Sequence, residues 1–289
     1  MKFSDRMGIT QPKLVLYIDS MPDQLRTTLW NYFYEVCQVG DATNWGRLVR
    51  CTAKDFRKFP LDAIPSRPWD LCEWLKNYFH ELTWADAYNF LEFFVANFYE
   101  VTNANHSHYD DPIGRSRASQ AVQNSINKLL EREHSGYRLV SGLLAPIVDQ
   151  VEVDEVSQAV VRLTGHGLDG ARVHIQTALR LFSQRPNPDY RNSIKESISA
   201  IESICRLIGE NTSGLEGAIR ALDRKAPIHK ALRIGFEKMY AYTSDEDGIR
   251  HAILDDTVID LADAKYMIVA CSAFANYLTA KANAAGLLK

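Results

Sequence analysis

At 289 residues, 46% of them hydrophobic, the chain is long enough for two modest domains, each with a buried core. A formal net charge of −3 excludes nucleic-acid binding through bulk positive charge, so any such contact has to come from a local patch. Cys37, Cys51, Cys72, Cys205 and Cys271 form no CxxC or CxH pair, which argues against a zinc ribbon or a disulfide framework and for a reducing cytoplasm.

The opening Met1-Lys2-Phe3-Ser4-Asp5-Arg6 lacks the apolar core of a signal peptide. No apolar run approaches the roughly 18 residues of a membrane span. The expectation is therefore a cytoplasmic protein with no membrane partner. A first helix is expected from Ser20-Met21-Pro22-Asp23, a capping signal, with Leu25, Leu29, Phe33 and Val36 at helical spacing. Residues 41–67 read as irregular, with Pro60 and Pro65 breaking any long element. Two aromatic-rich helices follow, over 68–82 and from a Thr83 cap onward, their aromatics most simply core. Residues 101–114 read as a loop, and a polar helix is expected over 116–133. Tyr137-Arg138-Leu139-Val140, Ser141-Gly142 and Leu143-Leu144-Ala145-Pro146 predict a β-hairpin with a two-residue turn.

A helix over 153–163 ends at Gly165-His166-Gly167, and a soft domain boundary falls between 148 and 168. The C-terminal part then reads as a bundle of amphipathic helices. One covers 169–183. The next opens at Asn187-Pro188, carries Ile194, Ile198, Ile201, Cys205 and Ile208, and stops at Gly209. A short helix over 213–222 is followed by one from Ile228 to Met239. A final long helix is capped by Asp260 with Asp263. The fold class is mainly α: a helical N-terminal domain with one hairpin over 1–150, and a helical bundle over 151–289.

Chemistry has to be argued from sites. The segment Tyr242-Thr243-Ser244-Asp245-Glu246-Asp247-Gly248-Ile249-Arg250-His251 concentrates three acids, an Arg and a His between two apolar helices. Together with Asn187-Pro188-Asp189-Tyr190-Arg191-Asn192-Ser193-Ile194-Lys195-Glu196-Ser197, it resembles the HEPN module of AbiJ-like abortive-infection proteins. The hairpin, the helix before it and Phe3-Ser4-Asp5-Arg6 also resemble the N-terminal region that accompanies that module. The resemblance covers most of the chain and is strongest over 168–280.

It implies a metal-independent, cofactor-free endoribonuclease of an anti-phage or toxin system. Its expected partners are an RNA substrate (tRNA among the candidates), a second copy of the chain, and a phage-derived trigger or antitoxin. HEPN ribonucleases use an Arg and a His, usually a few residues apart. His moves a proton near neutral pH, and Arg offers a planar fork of donors to phosphoryl oxygens. Here Arg250 and His251 are adjacent, so on a helix they point about 100° apart. Arg191 is the candidate partner, with Asn192 orienting substrate and Asp245, Glu246 or Asp247 holding His251. The alternative is that Arg250 and His251 only cap or salt-bridge the end of the bundle.

Arg224 and His229 match the usual spacing literally, although His229 at a helix start also reads as a cap. His106 and His108 beside Tyr109-Asp110-Asp111 resemble a metal cluster but read as solvated, and no metal is expected. His166 and His174 read as structural. No Gly-rich phosphate loop, nucleophile elbow or HExxH string is present. Two rival classes remain: a non-catalytic HEPN-type module that binds nucleotides or partners, and a DNA-binding regulator using the hairpin as a wing, with Arg138 as its cation. The N-terminal domain is expected to sense or regulate.

Overall fold

A computed structural model describes residues 16–38, 43–102, 112–184, 186–208, 219–220, 223–224, 227–244 and 259–288. The chain divides into two units, Met1–Val148 and Asp149–Lys289. Both are built mainly from helices, with one antiparallel hairpin in the first.

In the first unit, helix α1 (Asp23–Gln38) buries Leu25, Leu29 and Phe33 along one stripe. Phe33 is the hub of an aromatic core, with ring centroids 5.3 Å from Phe79, 5.7 Å from Phe90 and 4.5 Å from Phe94. The stretch 41–67 is not irregular throughout. Helix α2 (Thr43–Cys51) runs into a π-helical turn (Thr52–Arg57), and a 3-10 turn (Leu61–Ala63) follows. Trp45, Leu48, Val49 and Ala53 are buried at helical spacing, and that short stripe outweighs the polar residues between them. Lys58, at φ 54, closes the π-turn. Helix α3 (Pro68–Glu81) starts with its proline in the first turn, where no amide donor is needed. Helix α4 (Trp84–Thr102) is capped by Thr83, whose Oγ1 accepts the Asp86 amide at 3.1 Å. Helix α5 (Pro112–Arg132) completes the set.

Strands β1 (Arg138–Val140) and β2 (Leu143–Ala145) pair with Val140 opposite Leu143. Ser141 and Gly142 lie at φ 51 and 84, the doubly positive pattern of a type I′ turn. The hairpin is pinned by three side chains from α4 and α5. Asn127 both donates to the Leu139 carbonyl and accepts its amide, Gln123 accepts the Gly142 amide, and Glu92 accepts the Leu144 amide. Arg138 is buried and donates at 2.8 Å to the carbonyls of Ser135 and Tyr137. Arg138 is therefore not the exposed cation that a DNA-reading wing would use; it braces the hairpin from within. Just before it, Gly136 packs where a Cβ would come within 2.9 Å of the Ile18 side chain.

In the second unit, helix α6 (Gln150–Arg162) starts at Asp149, which accepts the Val151 and Glu152 amides. Helices α7 (Asp169–Ser183) and α8 (Tyr190–Ile208) form an antiparallel pair. Its register is set by Phe182 against Tyr190 and by Ser193 Oγ donating to the Ala178 carbonyl at 2.8 Å. The α8 stripe of Ile194, Ile198, Ile201, Cys205 and Ile208 is buried. The helix opens at Tyr190 rather than at Asn187-Pro188, because the Asp189 carboxylate, not Asn187, accepts the Asn192 amide at 3.0 Å.

Helix α9 (Lys230–Ser244) lays Phe236 on Phe274 of helix α10 (Leu261–Ala284). α10 carries the expected capping box of Asp260 and Asp263. It packs on α6 and α8. Gly209, most of the short helix over 213–222, and His106 and His108 fall outside the described residues.

Candidate functional site

The antiparallel register of α7 and α8 brings together a pair that sequence reasoning missed. His174 Nδ1 lies 2.6 Å from Glu196 Oε2, and the two side chains are 36% and 31% exposed. With Glu196 ionised, the bond places the ring proton on Nδ1 and leaves Nε2 to take or give a proton. A carboxylate that orients an imidazole with one nitrogen open is a general acid–base arrangement. No local motif could have signalled it, since the partners are 22 residues apart on two helices. The available signal was register: Phe182 against Tyr190 and Ala178 against Ser193 put His174 level with Glu196, one turn further along.

One turn before Glu196, Asn192 donates Nδ2 to Asp189 Oδ2 at 2.7 Å. Its donor is thus engaged in the cap of α8, and its side-chain carbonyl is left for other contacts. Arg191, half-buried in the first turn of α8, has interactions of its own. Arg224 is exposed, and His229 Nδ1 accepts the Ala231 amide at the start of α9. Beside them, Asp223 accepts from Arg233 at 3.0 Å and from the Ile228 amide at 2.7 Å, tying the segment before α9 to that helix. Arg250, His251, Asp245, Glu246 and Asp247 lie outside the described residues.

Burial disposes of the thiols as nucleophiles. It pushes Cys37, Cys205 and Cys271 up to about 12, and it raises Cys51 and Cys72 as well. Among the described residues, no group of three or more His, Cys, Asp or Glu side chains is arranged to hold a metal ion. No described helix is long and apolar enough to cross a membrane.

Fold and site thus define a class: a mainly helical, two-unit protein with a braced aromatic N-terminal unit and a helical bundle bearing an accessible His–Glu pair. Residues 1–162, more than half of the chain, match the AbiJ N-terminal domain 4 family, and the chain belongs to that family. That membership sets it among abortive-infection proteins. No curated protein and no solved structure matches it. The matched segment ends with the last residue of α6, so it takes in the first unit and the opening helix of the second.

Proposed function

We propose that the chain is a metal-independent endoribonuclease of an anti-phage abortive-infection system, cutting RNA through its C-terminal bundle as a homodimer. The observation that carries the reading is the His174–Glu196 bond, an oriented proton-transfer group one helical turn along α8 from Asn192. Family membership over residues 1–162 supports the defence setting. The 245–251 string supports a HEPN-type reaction centre in the same bundle.

In this reaction a base takes the proton of the RNA 2′-hydroxyl, whose oxygen attacks the neighbouring phosphorus. A 2′,3′-cyclic phosphate forms as the bond to the 5′-oxygen breaks, and an acid protonates that leaving oxygen. Two proton-transfer groups are needed, and His251 and His174 fill those places. Arg250 and Arg191 stabilise charge building on the phosphoryl oxygens, and Asn192 orients the substrate. Asp245, Glu246 or Asp247 positions His251 as Glu196 positions His174. The N-terminal unit is the sensing or regulatory part.

The test is cleavage of labelled total RNA and tRNA in EDTA by the wild type, His251→Ala, His174→Ala and Glu196→Gln. The expected result is about 100-fold or greater loss in each histidine variant, with a smaller loss in Glu196→Gln. The products should carry 2′,3′-cyclic phosphate and 5′-hydroxyl ends. Dependence on a divalent metal, or 5′-phosphate ends, overturns the mechanism. Equal cleavage by the wild type and both histidine variants moves the site elsewhere.

A further inference from the structure

Unit 1 carries a feature that the nuclease reading does not use. Between residues 47 and 58 five cations, Arg47, Arg50, Lys54, Arg57 and Lys58, face one acid, Asp55, in a chain whose net charge is −3. Arg50, Lys54, Arg57 and Lys58 are exposed along α2 and its π-helical extension.

The Arg57 guanidinium lies over three aromatic rings at once: 4.6 Å from the Phe59 centroid, 5.1 Å from Trp74 and 4.6 Å from Tyr78. Trp74 and Tyr78 are themselves stacked, and all three rings are half-buried. A guanidinium clamped in this way loses little freedom on binding. Among the described residues no carboxylate or carbonyl takes its N–H donors. Its N–H donors are thus open to an anion.

We propose that this surface binds single-stranded RNA, with Arg57 holding a phosphate, a base stacking on the guanidinium and its aromatic bed, and Arg50, Lys54 and Lys58 following the backbone. The chemistry is that of a stacking platform set beside a line of cations. An acidic peptide would satisfy the cations but would make no use of the stacked plane. The patch also answers the charge problem of the sequence, because it is local in a chain that is acidic overall. It belongs to the first unit alone, and it stands whether or not the bundle cleaves RNA.

The experiment titrates a fluorescently labelled oligouridylate into the full-length chain on a His251→Ala background. It follows anisotropy and tryptophan emission over a range of salt. The expected result is saturable binding with quenching of Trp74 and a tenfold or greater loss in Arg57→Gln. In Lys54→Gln/Lys58→Gln the slope of log K against log salt should fall by about 1.4, the value for two lost phosphate contacts on a single strand. This double variant alters only exposed side chains, so it keeps the test decisive if Arg57→Gln proves unstable by thermal melt. The proposal is overturned if the parent does not bind. It is equally overturned if both variants bind as the parent does, if an RNA duplex binds as tightly, or if polyglutamate competes as well as unlabelled oligouridylate. Cleavage by the wild type tests the bundle separately.

Discussion

Asn127, buried within the first unit, is worth more than one hydrogen bond. Its amide satisfies both polar backbone groups of Leu139, at 2.8 Å and 2.7 Å. Asn127→Ala leaves a buried N–H and a buried C=O without partners, and we expect a loss of about 2–4 kcal/mol in urea unfolding. Glu92 is a different case. Burial raises its carboxyl above the ordinary value, and the Leu144 amide at 2.6 Å offsets only part of that. A raised carboxyl favours the protonated form in the fold. The stability it allows is therefore fully present below the unfolded value and declines as pH climbs through the folded one. Glu92→Gln keeps the acceptor and removes the charge. Its melting temperature should exceed the wild type's at pH 7, and the gap should close toward pH 4. A gap that widens on acidification would reverse the assignment. Neither residue stands out in the sequence, where both look like polar positions of amphipathic helices. The same holds for His174, whose role depends on a partner on another helix.

Elements whose signals are local were legible. The final helix begins where Asp260 and Asp263 form their box, and the 169–183 helix has the bounds its stripe predicts. Elements decided by tertiary packing were not. Helix α2 offers only Trp45, Leu48 and Val49 as a stripe, too short to stand alone without the aromatic core it covers. At α8 the Asn187-Pro188 signal stands directly before Asp189, and it is the Asp189 carboxylate that caps the helix. The hairpin was visible through its turn, whereas its role depended on burial that the pattern of strand residues does not report. Its turn allows a direct check. Gly142 sits at φ 84, so Gly142→Ala forces a side chain into the left-handed region and should cost about 1–2 kcal/mol. Ser141→Asn puts the residue that type I′ turns favour at φ 51 and should raise the melting temperature. Opposite signs for the two changes in one thermal series would establish that the turn, and not a general loss of packing, sets the effect.

At the scale of the whole molecule, the family boundary and the packing boundary differ by one helix. The matched family segment ends at residue 162, while the second unit begins at Asp149 and includes α6. Hydropathy alone leaves residues 148–168 as a soft boundary, because an amphipathic helix reads the same whichever core it faces. Its contacts decide the matter. Val153, Val156, Ala159 and Val160 are buried, Lys265 of α10 pairs with Glu152 at 3.0 Å, and Asn276 donates to the Glu155 carbonyl and carboxylate. Burying three valines contributes roughly 4–9 kcal/mol, against a total of about 5–15 kcal/mol for an ordinary domain. A fragment of residues 163–289, cut at the family boundary, should therefore lose cooperative unfolding, while residues 149–289 should keep it. Circular dichroism melts and limited proteolysis of the two fragments distinguish these outcomes. If 163–289 melts as sharply as 149–289, α6 is dispensable to the bundle. If only 149–289 folds, the bundle is built on the last helix of the AbiJ family domain.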